Sequence, residues 1–350
     1  MINKMIVGIT MGDPASIGPE ITAKAFAKQS LYEMCRPIVV GDANVMTAAL
    51  TITHTEHLKI NAITNVADAK FEFGTIDVYD MKLVELDKLE RGGVSQMAGE
   101  AAFQYVKKVI ELAMAGDIDA TVTNAFNKEA INVAGHHYAG HTEIYAELTG
   151  TKKYTMMLAH ENMRVVHVST HVSLREACDR VKKDRVLEVI KIAHRACTDL
   201  GIENPKIGVA GLNPHSGENG LFGREEIDEI IPAIEIAKSE GMNVEGPVPP
   251  DTLYSKARGG WYDIVVAMYH DQGHIPLKVV GFVYNQALSK WDAVSGVNIT
   301  LGLPIVRASV DHGTAFDQAG KGIASELSLE HAIEYGVLLA KSNKQKLVEV

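Results

Sequence analysis

Short apolar runs alternate with segments of helical period along almost the whole chain, and this alternation restricts the fold more than any other feature of the sequence. "MIVGIT", "RPIVVGD", "DATVTN", "YTMMLA", "RVVHVSTH", "KIGVAGLNPH", "YDIVVAMYH" and "GVNITLGLPIV" read as strands. Between them, "GEAAFQYVKKVIELAMAG" and "KDRVLEVIKIAHRACTDLG" repeat apolar residues every three or four positions, the pattern of a helix with one buried face. Such an order predicts an α/β protein with largely parallel pairing. The 350 residues exceed the ~250–300 at which a single core stops growing, so two lobes are expected. No clean linker marks the boundary. We place the first domain at residues 1–135 plus 282–350, built from both chain ends, and the second at residues 136–281.

Polar residues gather where the strands stop. Asn124 and Lys128 follow "DATVT", His171 follows "RVVHVST", Asn213 and His215 follow "KIGVAGL", and His270 with Asp271 follows "DIVVAM". Open α/β sheets bind ligands beyond the carboxyl ends of their strands, so one site can collect these side chains. Three imidazoles at strand ends, with Asp251 or Asp271 near by, suit Zn²⁺, Co²⁺ or Ni²⁺; hydrogen-bonded loop histidines fit the same spacing. His167 lies inside its strand and reads as core. In "GHHYAGHTEIYAELTG", Thr142 follows His141 at the start of a helical pattern and is expected to cap it, where free amides can also take an anion. Lys278, Arg307 and Lys128 stand beside strand ends, where a phosphate or carboxylate would need fixed cations.

The formal net charge of -10 argues against nucleic acid or an anionic membrane as partner. Cys35, Cys178 and Cys197 have no CxxC spacing and an odd count, which fits packed thiols in a reducing cytoplasm better than a disulfide framework. The opening "MINKMIVGITMGDP" reads as a strand and turn rather than a signal peptide, and no run approaches the ~18 apolar residues of a membrane span. "GITMGDPASIG" is not G-x-G-x-x-G, and "GENGLFGREE" lacks a P-loop lysine, so spacing alone gives no cofactor. "MGDPASIGPE" reads as a turn leading into a helix at Pro19 with Glu20 in its first turn.

Seven segments together carry a resemblance: "MGDPASIGPE", "GHTEIYAELTG", "STHVSLREA", "GLNPHSGENGLFGREE", "GPVPPDTLY", "MYHDQGHIPLK" and "GVNITLGLPIVRASVDHGTAFDQAGKG". Across Val7 to Ala324 the chain resembles the 4-hydroxythreonine-4-phosphate dehydrogenases of the PdxA type. "DHGTAFDQAGKGIA" is in addition similar to the cofactor loop of isocitrate and isopropylmalate dehydrogenases, which bind NAD without a Rossmann fingerprint.

The resemblance implies a two-domain isocitrate/isopropylmalate dehydrogenase-like α/β/α fold with an active-site cleft between the domains. It also implies an NAD-dependent oxidoreductase that oxidises a secondary alcohol and then releases CO₂. The metal histidines fall on His171, His215 and His270, the substrate contacts on His141, Thr142, Lys278, Asn298 and Arg307, and the cofactor contacts on His312, Gly313, Thr314 and Ala315. Lys278 and Asp251 are the candidates for the catalytic base. One divalent ion per site is implied, with Zn²⁺ ahead of Co²⁺, Ni²⁺ or Mg²⁺, in a cytoplasmic homodimer whose sites are shared between subunits. "GHIPLK" looks more like the branch acting on D-threonate or D-erythronate 4-phosphate, which would give dihydroxyacetone phosphate, than the pyridoxine (vitamin B6) branch acting on 4-hydroxy-L-threonine 4-phosphate. A metal-dependent aldolase or hydrolase is the rival class. Two departures from the family pattern stand out: Ser16 and Ala125 replace an expected Gly and Pro, and "FVYNQALSKWDAVSGV" is longer than the usual turn.

Overall fold

The computed structural model describes residues 4–286, 290–294 and 296–348. Fourteen strands among them, in chain order, are β1 (Ile6–Thr10), β2 (Arg36–Gly41), β3 (Lys59–Ile63), β4 (Thr75–Asp80), β5 (Ala120–Thr123), β6 (Thr155–His160), β7 (Met163–His167), β8 (Ile207–Ala210), β9 (Val244–Val248), β10 (Ile264–Ala267), β11 (Phe282–Asn285), β12 (Lys290–Val294), β13 (Val297–Leu301) and β14 (Arg307–Val310). The fold is α/β, and contacts divide the chain into two units.

The first unit comprises residues 1–152, 293–297 and 303–350. Its strands run in the order β3-β4-β2-β1-β5-β14, with every pair parallel. Every residue of β5 and β14 is buried, as expected where helices cover both faces of a parallel sheet. One of those helices, Gln96–Ala115, starts where the Ser95 hydroxyl accepts the Ala98 amide at 3.2 Å and ends at Gly116, whose φ of 81° is left-handed. Its Ala98, Ala102, Tyr105, Val106 and Val109 face inward, and each large apolar side chain so buried contributes ~1.5–3 kcal/mol.

The second unit comprises residues 153–292 and 298–302, with strand order β13-β6-β7-β10-β8-β9. β6 and β7 pair antiparallel, while β7, β10, β8 and β9 are mutually parallel. Leu158, Val165, Leu253, Tyr262, Val265 and Leu277 belong to its core.

Contacts divide the chain at Lys152 and again at Asp292, and at the first of these the reason is local. His136 stacks on Phe103 at 3.6 Å and bonds Glu100 at 2.7 Å, and the Tyr145 hydroxyl donates to Thr121 at 2.9 Å. These contacts keep residues 136–152 with the first unit.

β3, β4 and β9 are strands that the apolar runs do not announce. β3 is mostly exposed or half-buried. β9 contains Gly246-Pro247, a pair that reads as a turn yet is tolerated on an edge strand. The lengthened segment after Gly281 supplies β11 and β12, which pair as a two-stranded sheet; residues 287–289 and 295 of that segment lie outside the described residues. Among the described residues no helix is long and apolar enough to cross a membrane.

Candidate active site

In the first unit, the register pairs Thr10 with Thr123 and Ser309 with Thr123, so β1, β5 and β14 end together. Arg307 opens β14 and is 2% exposed. Its guanidinium donates to the Thr123 hydroxyl at 3.1 Å and lies 5.5 Å from the Tyr145 ring centroid. Burial pushes its pKa down to about 10, against the pull of Tyr145 and Glu143, so it keeps its charge at neutral pH.

The His141 ring lies 4.0 Å from that of Phe126, tilted by 35°. Burial first, then the charges of Arg307 and Lys128, hold its pKa well below the usual range, against a hydrogen bond to the Asn124 backbone. Its Nε2 is buried without a partner among the described residues, so Nδ1 makes the bond to Asn124 and carries the proton of the neutral ring. Nε2 is left as an acceptor beside two cations. Thr142 does not cap the helix His141–Leu148; Gly140 occupies the cap position in extended backbone with φ of 176°, and no side chain closes it. The expected cap fails because the helix begins one residue before Thr142.

The segment from His312 to Ala315 belongs to the same unit. His312 Nδ1 meets the Gly313 carbonyl at 2.8 Å, and its Nε2 is buried without a partner among the described residues. Ala315 has a left-handed φ of 44°. Two supports lie at the other end of the chain: the Ile17 amide donates to the Thr314 carbonyl at 3.3 Å, and the Glu20 carboxylate accepts the amides of Gly320 at 2.6 Å and Gly322 at 2.8 Å. Glu20 thus does more than occupy a helix's first turn. Nothing in the spacing of "MGDPASIGPE" identifies that partner, some 300 residues away. Asp13 was also passed over; it is completely buried, with Oδ1 accepting the Ala15 amide at 2.9 Å and Oδ2 unpartnered among the described residues.

In the second unit, β7, β10 and β8 are neighbours and end in step, with His167 opposite Ala267 and Val209 opposite Val266. His171, His270 and His215 follow these three strands. The rings of His171 and His270 stand 5.9 Å apart, and His270 Nδ1 bonds Asp271 at 2.7 Å. With Nδ1 so engaged, Nε2 is the nitrogen that could meet a metal, as where a carboxylate orients a metal-binding imidazole. His274, one helical turn on, stacks on His270 at 3.6 Å and is held neutral, its pKa pushed down to about 4 mainly by burial and then by His270. His167 is fully buried, as its position inside the strand predicts.

His215 lies in a turn of unusual backbone. His215, Ser216, Gly217, Glu218 and Asn219 all have positive φ, between 42° and 81°, a conformation costing ~1–2 kcal/mol for each residue that is not glycine. The buried Glu226 carboxylate holds the approach to it, accepting the amides of Leu212 at 2.8 Å and Asn213 at 2.7 Å and the Asn213 side chain at 2.9 Å. A Cβ on Gly217 would come within 2.6 Å of that carboxylate. Strain held this firmly is characteristic of functional segments. The His215 ring lies 6.4 Å from Phe222. Among the described residues no group of three His, Cys, Asp or Glu side chains is gathered around a point where one ion would sit. The structure therefore assembles the His171–His270 pair and places His215 on the adjoining strand end without drawing it in. The His171–His270 pair has the donor chemistry for a divalent ion, but among the described residues no third side chain joins it around one point.

Lys278 belongs to the helix His270–Gly281, with Nζ 5.1 Å from the Phe282 ring. The Asn298 side chain donates to Met156 Sδ at 2.6 Å. Asp251 is exposed in the first turn of the helix Pro250–Arg258, which packs against the His215 turn.

Residues 33–336 match the model of the family described as pyridoxal phosphate biosynthetic protein PdxA. The chain is 46% identical over 336 residues to a D-threonate 4-phosphate dehydrogenase from Cupriavidus necator, an alignment covering 96% of this chain and 97% of that protein. It superposes on the crystal structure of a 4-hydroxythreonine-4-phosphate dehydrogenase from Klebsiella pneumoniae with a TM-score of 0.84 at 43% identity, covering 96% of this chain and 98% of that one. A protein of the same name from Burkholderia phymatum gives a TM-score of 0.80 at 45% identity, again covering 96% and 98%.

Proposed function

The chain belongs to the PdxA family, and on that footing we propose that it is an NAD-dependent dehydrogenase that oxidises and decarboxylates D-threonate 4-phosphate or D-erythronate 4-phosphate to dihydroxyacetone phosphate and CO₂. The observation that carries this reading is Arg307, a cation buried to 2% exposure beside the neutral His141 ring. In a protein of net charge -10, a desolvated guanidinium with an adjacent unpartnered imidazole nitrogen suits an anionic, hydroxyl-bearing ligand. The Cupriavidus relative favours the D-threonate branch, as does "GHIPLK". Oxidation of 4-hydroxy-L-threonine 4-phosphate in vitamin B6 biosynthesis is the second reading, favoured by the Klebsiella and Burkholderia structures.

In the first unit, Arg307 fixes an anionic group of the substrate, and His141 Nε2, with Thr142, accepts or orients its hydroxyls. His312, Gly313, Thr314 and Ala315 line the NAD site. In the second unit, Asn298 and Lys278 contact the substrate, and Lys278 or Asp251 takes the alcohol proton as the hydride leaves carbon. His171, His215 and His270 would hold a divalent ion, zinc before cobalt, nickel or magnesium. When bound, NAD accepts the hydride and the ion supplies Lewis acidity for alcohol ionisation and for the loss of CO₂ from the resulting 3-oxo acid. The residues' own contribution is orientation, which fixes the reacting carbon and lowers the barrier.

The assembly we propose is a cytoplasmic homodimer with shared sites. Ile275 and Val279, on one face of the helix His270–Gly281, are 57% and 76% exposed, an apolar face suited to a second copy.

Replacing Arg307 by Ala is expected to raise KM for the phosphorylated acid at least tenfold while KM for NAD stays within twofold, read from initial rates of NADH formation. An equal rise in both constants would contradict the assignment.

A further inference from the structure

The helix His141–Leu148 carries His141 and Thr142 in its first turn and Tyr145 one turn further on. Tyr145 is fully buried, and its ring is the one that the Arg307 guanidinium approaches to 5.5 Å. Burial pushes its hydroxyl up to about 12, against the Arg307 charge and the bond to Thr121, so the group stays protonated. It donates to Thr121 Oγ1 at 2.9 Å. Thr121 Oγ1 in turn donates to the Val306 carbonyl at 2.9 Å.

The register shows where this chain of hydroxyls leads. Thr121 on β5 is the partner of Arg307 on β14, and Val306 is the residue before Arg307. The link therefore runs from the helix, across β5, to the backbone from which Arg307 departs. Thr123, two residues along β5, takes the guanidinium itself at 3.1 Å. Thr121 and Thr123 are both completely buried, so a shift of the helix would leave polar groups unpaired away from water. Filling this part of the core would need only the aromatic ring. Phenylalanine keeps that ring against the cation and drops the link to Thr121, whereas leucine drops both.

We propose that Tyr145 is a positioning residue that holds Arg307 in fixed register with the helix start bearing His141 and Thr142, through its ring and through the hydroxyl link to Val306. The inference rests on the proposed function, in which Arg307 and His141 take the anionic, hydroxyl-bearing acid, and deepens it. Tyr145 touches neither substrate nor cofactor in this assignment. It acts by keeping the two groups that do so at one separation.

The test measures, by calorimetry, affinity for NAD and for the tightest-bound of D-threonate, D-erythronate and 4-hydroxy-L-threonine 4-phosphates. Wild type is compared with Arg307→Ala, Tyr145→Phe, Tyr145→Leu, Thr121→Val and Thr121→Ser, each first shown by circular dichroism to be folded. We expect Tyr145→Phe and Thr121→Val each to weaken the acid three- to tenfold, and Tyr145→Leu more than either, with NAD affinity within twofold throughout. Thr121→Ser keeps the hydroxyl and should bind the acid within twofold of wild type. The double variant Tyr145→Phe/Thr121→Val should be no weaker than the weaker single one, because both break the same link. Where Tyr145→Leu or Thr121→Val does not fold, Tyr145→Phe carries the test. A purely structural role would lower the melting temperature and leave the acid affinity of folded molecules intact; that outcome overturns the proposal, as does an equal loss of NAD. If wild type binds none of the acids, or Arg307→Ala binds as wild type does, the proposed function itself fails and takes this inference with it. Loss of the acid in Arg307→Ala with full affinity in Tyr145→Phe rejects the role of Tyr145 alone.

Discussion

Asp13 lies in the turn from Asp13 to Ile17 that supports Thr314, and burial pushes its carboxyl up to about 6 despite hydrogen bonds from the backbone of Ala15 and Asn127. The folded chain therefore holds this proton more tightly than the unfolded chain, whose aspartate titrates near ~3.9. The sign follows from linkage: the contribution is fully present below the unfolded value and is lost as pH rises through the folded one. A shift of about two units corresponds to ~3 kcal/mol. In Asp13→Asn, which keeps an acceptor for Ala15 and does not titrate, that loss is absent. Urea unfolding of both proteins is expected to show the stability of wild type relative to Asp13→Asn falling by about 2 kcal/mol between pH 4 and pH 7. Parallel profiles would contradict the burial argument. Ser16 shows how one departure from the family pattern is accommodated in the same turn: its hydroxyl donates to the Asp13 carbonyl at 2.7 Å and accepts the Gly18 amide at 3.0 Å.

At the scale of elements, the helix Gly18–Phe26 holds residues 320–322 through Glu20, while the Ile17 amide before it bonds the Thr314 carbonyl. A hydrogen bond to a charged group is worth ~1.5–3 kcal/mol, so Glu20→Gln, which removes the charge and one acceptor, is expected to raise KM for NAD roughly tenfold while KM for the acid changes less than threefold. Unchanged KM for NAD would separate this loop from cofactor binding. Glu20, Asp13 and Glu226 all sit inside motifs visible in the sequence, yet nothing there reveals their work. Each acts on amides or carbonyls supplied by other segments, and only the fold brings those segments together. The elements themselves were more legible. Buried strands such as β8 and β10 are continuous apolar runs because both faces are covered. β3 and β9 escaped notice because edge positions tolerate exposed residues and proline. Histidines at strand ends were recognisable as a set, and parallel register explains why β7, β10 and β8 deliver them to one sheet edge. The left-handed run from His215 to Asn219 was not legible, since only Gly217 adopts a positive φ without cost, and His215 and Asn219 tolerate it without announcing it.

At the scale of the molecule, 350 residues are spread over two units, the first drawing on both ends of the chain. Each carries its own chemistry: a buried cation, a neutral imidazole and a braced glycine-containing loop in the first, and a histidine-bearing sheet edge in the second. The function proposed from them is oxidation coupled to carbon–carbon cleavage, and the direct measurement is stoichiometric. Enzyme supplied with zinc, NAD and, separately, carboxyl-labelled D-threonate 4-phosphate, D-erythronate 4-phosphate or 4-hydroxy-L-threonine 4-phosphate is followed for NADH and labelled CO₂ together. The account predicts equal amounts of the two products, formed fastest from D-threonate or D-erythronate 4-phosphate. No NADH from any of the three, or NADH without CO₂, would contradict it.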